Sequence, residues 1–301
     1  MNKIALLISF TLIAILSSCS MKKKCMNTPD DYYAFRIEQK SYQSTDGIIK
    51  YIDKGKGEVI LLLHGVPSSG WLYRKMTDSL VEKGYRVIVP DMLGFGNSDS
   101  PKGYETYSSE NHARRLLALM DHLKINQWNH VMHDAGGLWT WELFKKQPER
   151  IKSLTILNTI VFKEGFNPPV KMKKGFKAKT AMWAYRSWLL RPILMKGLFS
   201  STLKKETKLT KCEKFGYKKP LKESKTRAMY WFFTQTKEGF PNYEDVYSKI
   251  NIPVCVIWGS KDEMLKIEPQ KEKIKQTFNV KEEHFHVIDS KHFIQEEKPD
   301  F

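Results

Sequence analysis

The stretch Val131-Met132-His133-Asp134-Ala135-Gly136-Gly137 ends an apolar run with strand character and opens the amphipathic segment 138–144. A strand that turns directly into a helix needs a tight bend, and two consecutive glycines remove the side chains that would block it. Asp134 stands at the apex of this predicted bend. Its residue type fits two roles: an N-cap for the following helix, where Asp is favoured, or a carboxylate presented for chemistry.

Apolar strands and amphipathic helices alternate on both sides of the bend. We predict strands at 58–63, 86–90, 151–157, 254–258 and 284–288, with helices at 71–83, 107–123 and 269–277. This alternation is typical of a doubly wound, mostly parallel sheet with helices on both faces. Segment 33–51 alternates loosely and predicts antiparallel strands that open the sheet, with Asp46-Gly47 as their turn.

A second landmark is the loop His64-Gly65-Val66-Pro67, which follows the predicted strand 58–63. A glycine-containing loop at the carboxyl end of a central strand can turn a backbone N–H toward the bend at Asp134. The amides of Val66 and Ala135 would then form an oxyanion hole. The alternative is an ordinary strand-to-helix loop.

These motifs, in this order, resemble the haloalkane dehalogenase and epoxide hydrolase branch of the α/β-hydrolases. The resemblance rests on 64–67, 91–99 and 133–137, is extended by Arg74, and covers roughly residues 45–301. Within the superfamily the bend corresponds to the nucleophile elbow, usually written G-x-S-x-G. Here the apex is a carboxylate instead of a hydroxyl, and Met132 occupies the first small position.

The resemblance implies an α/β-hydrolase core over 33–161 and 241–301, with an inserted helical cap over 162–240. It also implies the chain order nucleophile, acid, histidine, which Asp134, Asp262 and His292 would fill. Asn158 stands where some dehalogenases of the family carry their acid, but an amide cannot supply that charge. Glu263 is the adjacent competitor of Asp262.

A carboxylate with a pKa near ~4 is ionised at neutral pH and suits displacement at a saturated carbon, which leaves an ester on the enzyme. His292, oriented by Asp262, would then activate a water that hydrolyses the ester. This scheme needs a small apolar organic substrate, no metal and no organic cofactor.

The leaving group separates the possible substrates. Dehalogenases of the family commonly place Trp after the nucleophile, and some place Asn after His-Gly, whereas this chain has Ala135 and Val66. His133 resembles epoxide hydrolases, while Met132 and segment 68–74 are closer to dehalogenases. We predict carbon–halogen bond hydrolysis, with epoxide hydrolysis and a non-catalytic membrane-anchored scaffold as alternatives. Candidate substrate-binding residues from the cap are Trp183, Tyr185, Trp188, Tyr230 and Trp231.

The positive charge is concentrated in the predicted cap. The chain carries a net charge of +17, and residues 162–240 contain 20 Lys/Arg against 5 Asp/Glu. Such a basic face could bind anionic lipid, an acidic substrate or nucleic acid, or could consist only of solvated helix faces. Among the functional alternatives we single out a membrane surface. No nucleic-acid motif accompanies the lysines, so nucleic acid is not expected as a partner. The four cysteines show no disulfide framework or zinc-binding spacing.

The N-terminus resembles a lipoprotein signal peptide over 1–19. Lys3 precedes an apolar run at 4–16, and Leu16-Ser17-Ser18-Cys19 resembles a lipobox. Cys19 would then carry the lipid, residues 20–32 would form a tether, and the protein would face the periplasm or cell surface. A start at Met21 would instead give a cytoplasmic protein.

Overall fold

The computed structural model describes residues 30–168, 171–223 and 225–301. Eight strands in these residues form one sheet: β1 (Lys40–Ser44), β2 (Gly47–Lys54), β3 (Val59–Leu63), β4 (Arg86–Asp91), β5 (Trp128–Asp134), β6 (Ile151–Thr159), β7 (Val254–Gly259) and β8 (Phe285–Ile288). Their order across the sheet is β1-β2-β4-β3-β5-β6-β7-β8. The pairs β1–β2 and β2–β4 are antiparallel and all the others are parallel, which confirms the predicted mostly parallel sheet.

Eleven α-helices lie in the same ranges: α1 (Asp30–Glu38), α2 (Arg74–Glu82), α3 (Ser109–His122), α4 (Gly136–Lys146), α5 (Phe176–Arg186), α6 (Arg191–Thr202), α7 (Lys211–Lys222), α8 (Arg227–Gln235), α9 (Glu244–Tyr247), α10 (Lys271–Thr277) and α11 (Ile294–Glu297). Short 3-10 turns occur at Gly70–Tyr73, Glu105–Tyr107, Pro148–Arg150, Lys163–Gly165, Thr236–Glu238 and Glu282–His284. None of the helices in the part of the chain described here is both long and apolar enough to cross a bilayer.

The central strands are apolar on both faces because both faces are covered. Leu61, Leu62 and Leu63 of β3 are all buried, and so are Val87, Ile88 and Val89 of β4. Consecutive side chains of a strand point to opposite faces, so a run of buried residues requires packing on each side. Helices α2 and α11 contact each other, and α3 contacts α4. Right-handed crossovers in the observed strand order place these two groups on opposite faces of the sheet.

The strand order reverses direction between β3 and β5, and this reversal decides where a site can form. The chain steps from β3 outward to β4 and then returns to β5 on the other side of β3. Leu63 pairs with Met132 at the carboxyl ends of these neighbours. In open α/β sheets a crevice opens at such a point because the two following loops leave in opposite directions. The loop after β3 and the bend after β5 therefore border the same crevice.

Residues 162–240, which we call the insert, contain α5 to α8 among their described residues. The insert contacts the sheet domain at several places. The Phe293 amide donates a hydrogen bond to the Thr202 carbonyl at 3.0 Å, and the Tyr230 ring lies 4.3 Å from that of Tyr104. That this segment works as a cap stays a prediction.

The start of the domain differs from the predicted one. Residues 30–38 form α1, whereas the sequence predicts a tether up to residue 32 and strand from residue 33, so only β1 and β2 make the antiparallel opening of the sheet. Tyr32, expected in a tether, is 1% exposed and donates a hydrogen bond to Asn97 at 2.8 Å. Its ring packs edge-on against Trp71 and Phe215. These contacts are distant in sequence, so a local alternation pattern could not reveal them. The predicted signal peptide, Cys19 and residues 20–29 lie outside the described residues.

Candidate active site

The bend at Asp134 is held in a strained backbone conformation. Asp134 has φ +52°, a region that non-glycine residues rarely adopt. Its carbonyl accepts hydrogen bonds from the Thr159 hydroxyl at 2.6 Å and the Ile160 amide at 3.3 Å, both at the end of β6. A Cβ on Gly137 would lie 2.3 Å from Thr159 Oγ1. Only glycine therefore lets β6 approach closely enough to hold the bend.

The Asp134 carboxylate lies against the loop that follows β3. Its Oδ1 accepts a hydrogen bond from the Val66 amide at 2.6 Å, and the Ala135 amide also donates to the carboxylate. Gly65 permits this approach, since a Cβ there would lie 2.3 Å from both Cβ and Oδ1 of Asp134. The structure thus brings the two amides of the predicted oxyanion hole to one carboxylate, although their catalytic role stays a prediction.

His64 holds the same loop in place through hydrogen bonds of its ring. Its Nε2 accepts a hydrogen bond from the Met92 amide at 3.0 Å, so the ring proton sits on Nδ1 and is donated to the Gly65 carbonyl at 2.8 Å. Burial lowers the pKa of His64 to about 4, which keeps the ring neutral. The sequence motif included His64, but its supporting role became visible only through its partners.

His292 connects the two predicted carboxylates. Its Nδ1 lies 2.7 Å from Asp262 Oδ2, and its Nε2 lies 3.6 Å from Asp134 Oδ2. The His292 and Asp262 side chains are 3% and 0% exposed, so water does not compete for the hydrogen bond between them. The structure therefore assembles Asp134, His292 and Asp262 in the order the sequence predicted, from the ends of three different strands. Glu263, the competitor of Asp262, is exposed.

Asn158 positions Asp262, a role that sequence reasoning missed. Its amide nitrogen donates to Asp262 Oδ2 at 2.6 Å, and its oxygen accepts from the Gly259 amide at 2.9 Å. Asp262 Oδ1 accepts two further bonds, from the amides of Met264 and Leu265. The Asn158 amide therefore holds the Asp262 carboxylate in the turn that follows the neighbouring strand β7. Its φ of +32° was a further feature that no sequence pattern revealed.

The pKa values of Asp134, Asp262 and His292 are shifted by burial and by the charges of their neighbours. Burial raises the pKa of Asp134 above its ordinary 3.8, and His292 with the two amides offsets this only in part. Burial also acts to raise the pKa of Asp262, but the His292 ring and the hydrogen bonds to its carboxylate hold that pKa below the ordinary value. Burial alone would lower the pKa of His292, yet the charge and hydrogen bond of Asp262, with the charge of Asp134, hold it above 6.5.

His133 supports His292 through the backbone. Its Nε2–H donates to the His292 carbonyl at 2.9 Å, and the two rings lie 4.5 Å apart. Burial, together with the nearby His292, holds the pKa of His133 well below 6.5, so this second imidazole stays neutral. From the sequence alone, His133 was noted only for its resemblance to epoxide hydrolases. Its position beside the catalytic candidate gives it a positioning role.

Two predicted substrate-binding residues do not fit that role. The side chains of Trp183 and Trp188 are 54% and 81% exposed, whereas an indole that binds a leaving group in a dry pocket must be enclosed. This is a correction to the expectation from sequence. The aromatic pattern of α5 and the following turn could not distinguish an inward from an outward side chain, because that depends on how the helices of the insert pack.

The other three candidates are less exposed. The Tyr230 ring stacks near Tyr104, and its hydroxyl accepts a hydrogen bond from the Gly175 amide. Trp231 is half-buried with the Lys174 ammonium over its ring. Tyr185 is half-buried, and burial raises the pKa of its hydroxyl. Across the described ranges no group of three or more His, Cys, Asp or Glu side chains is placed to hold a metal ion.

Comparison with known proteins places the chain in a family. Residues 58–299 match the α/β-hydrolase fold family. A cis-3-alkyl-4-alkyloxetan-2-one decarboxylase from Shewanella oneidensis is 31% identical over 71% of this chain and 70% of its own length. A haloalkane dehalogenase from Mycolicibacterium paratuberculosis is 33% identical over 49% of this chain and 46% of its own length. The crystal structure of an epoxide hydrolase from Vigna radiata superimposes with a TM-score of 0.67 at 22% identity, covering 87% of this chain and 94% of that one. The chain therefore belongs to the α/β-hydrolase fold family and is a hydrolase of that superfamily.

Proposed function

We propose that this hydrolase forms a covalent ester between Asp134 and a carbon atom of its substrate, and that His292 activates the water that breaks the ester. One arrangement carries the proposal: Asp134 Oδ1 is held by the Val66 amide at 2.6 Å, while Oδ2 faces His292 Nε2 at 3.6 Å. One oxygen of the carboxylate is thus fixed, and the other lacks a short hydrogen bond that would have to break before it attacks.

In the first half-reaction Oδ2 of Asp134 attacks an electrophilic carbon. A carbon–oxygen bond forms, and the bond from that carbon to its leaving group breaks, with the electron pair going to the leaving group. Burial removes water from the carboxylate and raises its pKa. Once ionised, it is therefore a better nucleophile than a hydrated carboxylate, which must first shed its water.

In the second half-reaction His292 Nε2 takes a proton from a water, and the water oxygen attacks Cγ of Asp134. The oxyanion that forms is stabilised by the amides of Val66 and Ala135. Collapse of this intermediate breaks the bond between Cγ and the alkyl oxygen, and His292 gives its proton to that oxygen to release the alcohol. The second proton of the water leaves the Asp134 carboxyl for solvent, which regenerates the carboxylate. One oxygen of the carboxylate then comes from solvent.

For the substrate, we favour a strained oxygen ring of the epoxide type over a haloalkane. A departing halide needs N–H donors in a dry pocket, but Val66 and Ala135 have no such side-chain group, and Trp183 and Trp188 are exposed. A ring oxygen instead stays attached to the product and needs one proton donor. Tyr185 is our candidate, because its half-buried hydroxyl has no hydrogen-bond partner within the described ranges. The similarity to an enzyme named for a four-membered oxygen ring supports the preference for a strained oxygen ring over a haloalkane.

Carbon–halogen hydrolysis is the second candidate, because a haloalkane dehalogenase is among the similar proteins and Trp231 is half-buried in the insert. In that case the halide leaves as the free anion, and the remaining steps are the same.

The test is to trap the ester. The His292→Phe variant retains the nucleophile but lacks the base, so incubation with styrene oxide should add the mass of one substrate molecule to the peptide containing Asp134. The wild-type enzyme should turn over and show little adduct, and His286→Phe, a histidine of β8 outside the site, should behave like wild type. Adduct from 1,2-dibromoethane but not from styrene oxide would favour the haloalkane candidate. Absence of adduct with both, in a folded variant, would refute the Asp134 nucleophile.

A further inference from the structure

Large apolar side chains are exposed on one part of the insert. Eight such side chains are exposed in the described ranges, and five of them lie between residues 176 and 193. They are Phe176, Trp183, Trp188, Leu189 and Ile193, with exposed fractions between 54% and 83%. Soluble proteins rarely expose apolar side chains in such a concentration unless the surface binds something. We call the surface formed by α5, α6 and the turn between them the α5–α6 face.

The α5–α6 face is surrounded by positive charge without compensating acids. Residues 171–205 contain ten Lys and Arg and no Asp or Glu. Among the described contacts of these ten residues, only Lys204 forms ion pairs, with Glu206 and Asp289. Lysines of the sheet domain more often have a carboxylate partner, as Lys40 and Lys54 do. The charge at the α5–α6 face is therefore available for an external anion.

A cavity of about 410 Å³ lies between α6 and α7 beside this face. Seven lysines line it, together with apolar side chains that include Phe199 and Leu203, and no carboxylate does. Burial lowers the pKa of Lys218. Repulsion from Lys214 and Arg191 lowers it further, because like charges close together disfavour the charged form. A bound anion would relieve this repulsion. The combination of a cationic rim with apolar walls fits a phosphate group that carries an aliphatic chain.

The cavity and the exposed apolar residues belong to one surface. Lys196 lines the cavity and Ile193 is exposed, and residues three apart on a helix are neighbours on its surface. Trp188 and Leu189 lie in the turn directly before α6. Tryptophan prefers the interface between lipid headgroups and acyl chains, and lysines beside it attract anionic lipids. A second copy of the chain is disfavoured as occupant, since two identical cationic faces repel each other.

We propose that the α5–α6 face docks on an anionic phospholipid surface, with Trp188, Leu189 and Ile193 entering the interface and a lipid phosphate entering the lysine-lined cavity. The contact is interfacial and not transmembrane, as expected for short amphipathic helices with a cationic border. It would place the insert against the membrane and the sheet domain away from it. This inference is independent of the reaction that Asp134 performs.

The test uses the full chain with vesicles of phosphatidylglycerol whose acyl chains are brominated, because bromine quenches only tryptophans that enter the lipid. The first tryptophan of the chain is Trp71, so an N-terminal anchor cannot produce the signal. Fluorescence should fall on anionic vesicles and not on phosphatidylcholine vesicles. Trp183→Phe with Trp188→Phe should remove at least half of the quenching, whereas Trp231→Phe, at a half-buried position, should retain it.

Affinity variants separate the apolar from the electrostatic contribution. Trp188→Ser should raise the lipid concentration needed for half-maximal quenching about tenfold. Lys214→Gln with Lys218→Gln should raise that concentration roughly fivefold per lysine at low salt. The matched control is Ile37→Ser, which removes an equally exposed apolar side chain of α1 and should change nothing. No quenching on anionic vesicles would overturn the proposal, as would equal quenching on both lipids. The proposal would also be overturned if vesicles cause no quenching and the protein forms a dimer that Trp188→Ser dissociates. That result would assign the α5–α6 face to a second copy of the chain.

Discussion

Asp134 at the carboxyl edge of the sheet and Glu296 at the junction between sheet and insert are both largely buried carboxylates, with side chains 14% and 0% exposed. Their partners differ. Glu296 is bound by both terminal nitrogens of Arg74 at 2.5 and 2.9 Å, by Lys75 at 2.9 Å and by the Tyr217 hydroxyl at 2.5 Å. Asp134 instead accepts from the Val66 amide at 2.6 Å and from the Ala135 amide, and His292 Nε2 lies 3.6 Å from its Oδ2.

If Asp134 is the nucleophile as proposed, the chain separates the carboxylate that stabilises the fold from the carboxylate that reacts. A buried carboxylate with several short, charged hydrogen bonds is neutralised and fixed, so it can join α2, α7 and α11 but cannot attack a substrate. A buried carboxylate with one oxygen left without a short donor is reactive, but the protein must hold it at a cost in stability. The elbow backbone, at φ +52°, adds strain to that cost. Four substitutions test this division.

Replacing Asp134 by Asn should reduce kcat/KM by about 10⁴-fold, because the nucleophile is lost. The same variant should unfold at a higher temperature at pH 7–8, since it removes a buried charge and Asn tolerates positive φ. The pKa of Asp134 is raised in the folded state, so its charged form opposes folding above that pKa. The difference in melting temperature between Asp134→Asn and the wild type should therefore become smaller as the pH falls through the raised pKa of Asp134. A lower melting temperature at pH 8 would contradict the division.

Replacing Asp262 by Asn should reduce hydrolysis of the ester by roughly 10³-fold, because His292 loses the group that orients it. The pH profile carries a more specific readout. The wild-type hydrolysis step should decline as the pH falls through a value above 6.5, since His292 must be neutral and its pKa is raised. Without the Asp262 charge this decline should move to lower pH. Single-turnover rates across pH measure it, and Asp289→Asn, at an exposed acid, should leave the profile unchanged.

Replacing Gly65 by Ala should reduce kcat/KM by about 10²-fold, because the added Cβ would displace the Asp134 carboxylate from the Val66 amide. The matched control is Gly197→Ala in α6, where a Cβ meets nothing within 4 Å. That control should retain full activity and gain about 0.5–1 kcal/mol of unfolding free energy from helix propensity. Equal activities of the two variants would show that the close approach of Gly65 is not needed for the reaction.

Replacing Glu296 by Gln should change kcat/KM by less than about threefold, since the carboxylate does not touch the reacting atoms. It should lower the free energy of unfolding by about 3 kcal/mol, because Arg74 and Lys75 lose a buried partner. Urea denaturation measures the loss. Glu58→Gln, which breaks an exposed pair with Lys152, should leave the midpoint unchanged. A collapse of activity in folded Glu296→Gln would show that the junction also takes part in catalysis.

The sequence predicted much of the fold because its evidence is local. Apolar runs of strand length and the glycines after Asp134 are constraints that neighbouring residues impose on one another. The same locality explains the misses. Segment 30–38 forms a helix because Tyr32 reaches Asn97, Trp71 and Phe215. Asn158 had an evident place in the chain, but its partner Asp262 lies in the turn after the neighbouring strand β7, 104 residues away in sequence.

The sequence by itself determined the bend at Asp134, the loop 64–67 and the order of Asp134, Asp262 and His292, since backbone geometry at a bend and strand alternation depend on adjacent residues. Only the tertiary structure decided which buried carboxylate is bound by Arg and Lys, which amide supports Asp262 and which aromatic side chains of the insert face solvent. Those outcomes depend on burial and on hydrogen bonds between segments far apart in the chain. Such contacts arise only when the helices and strands have packed.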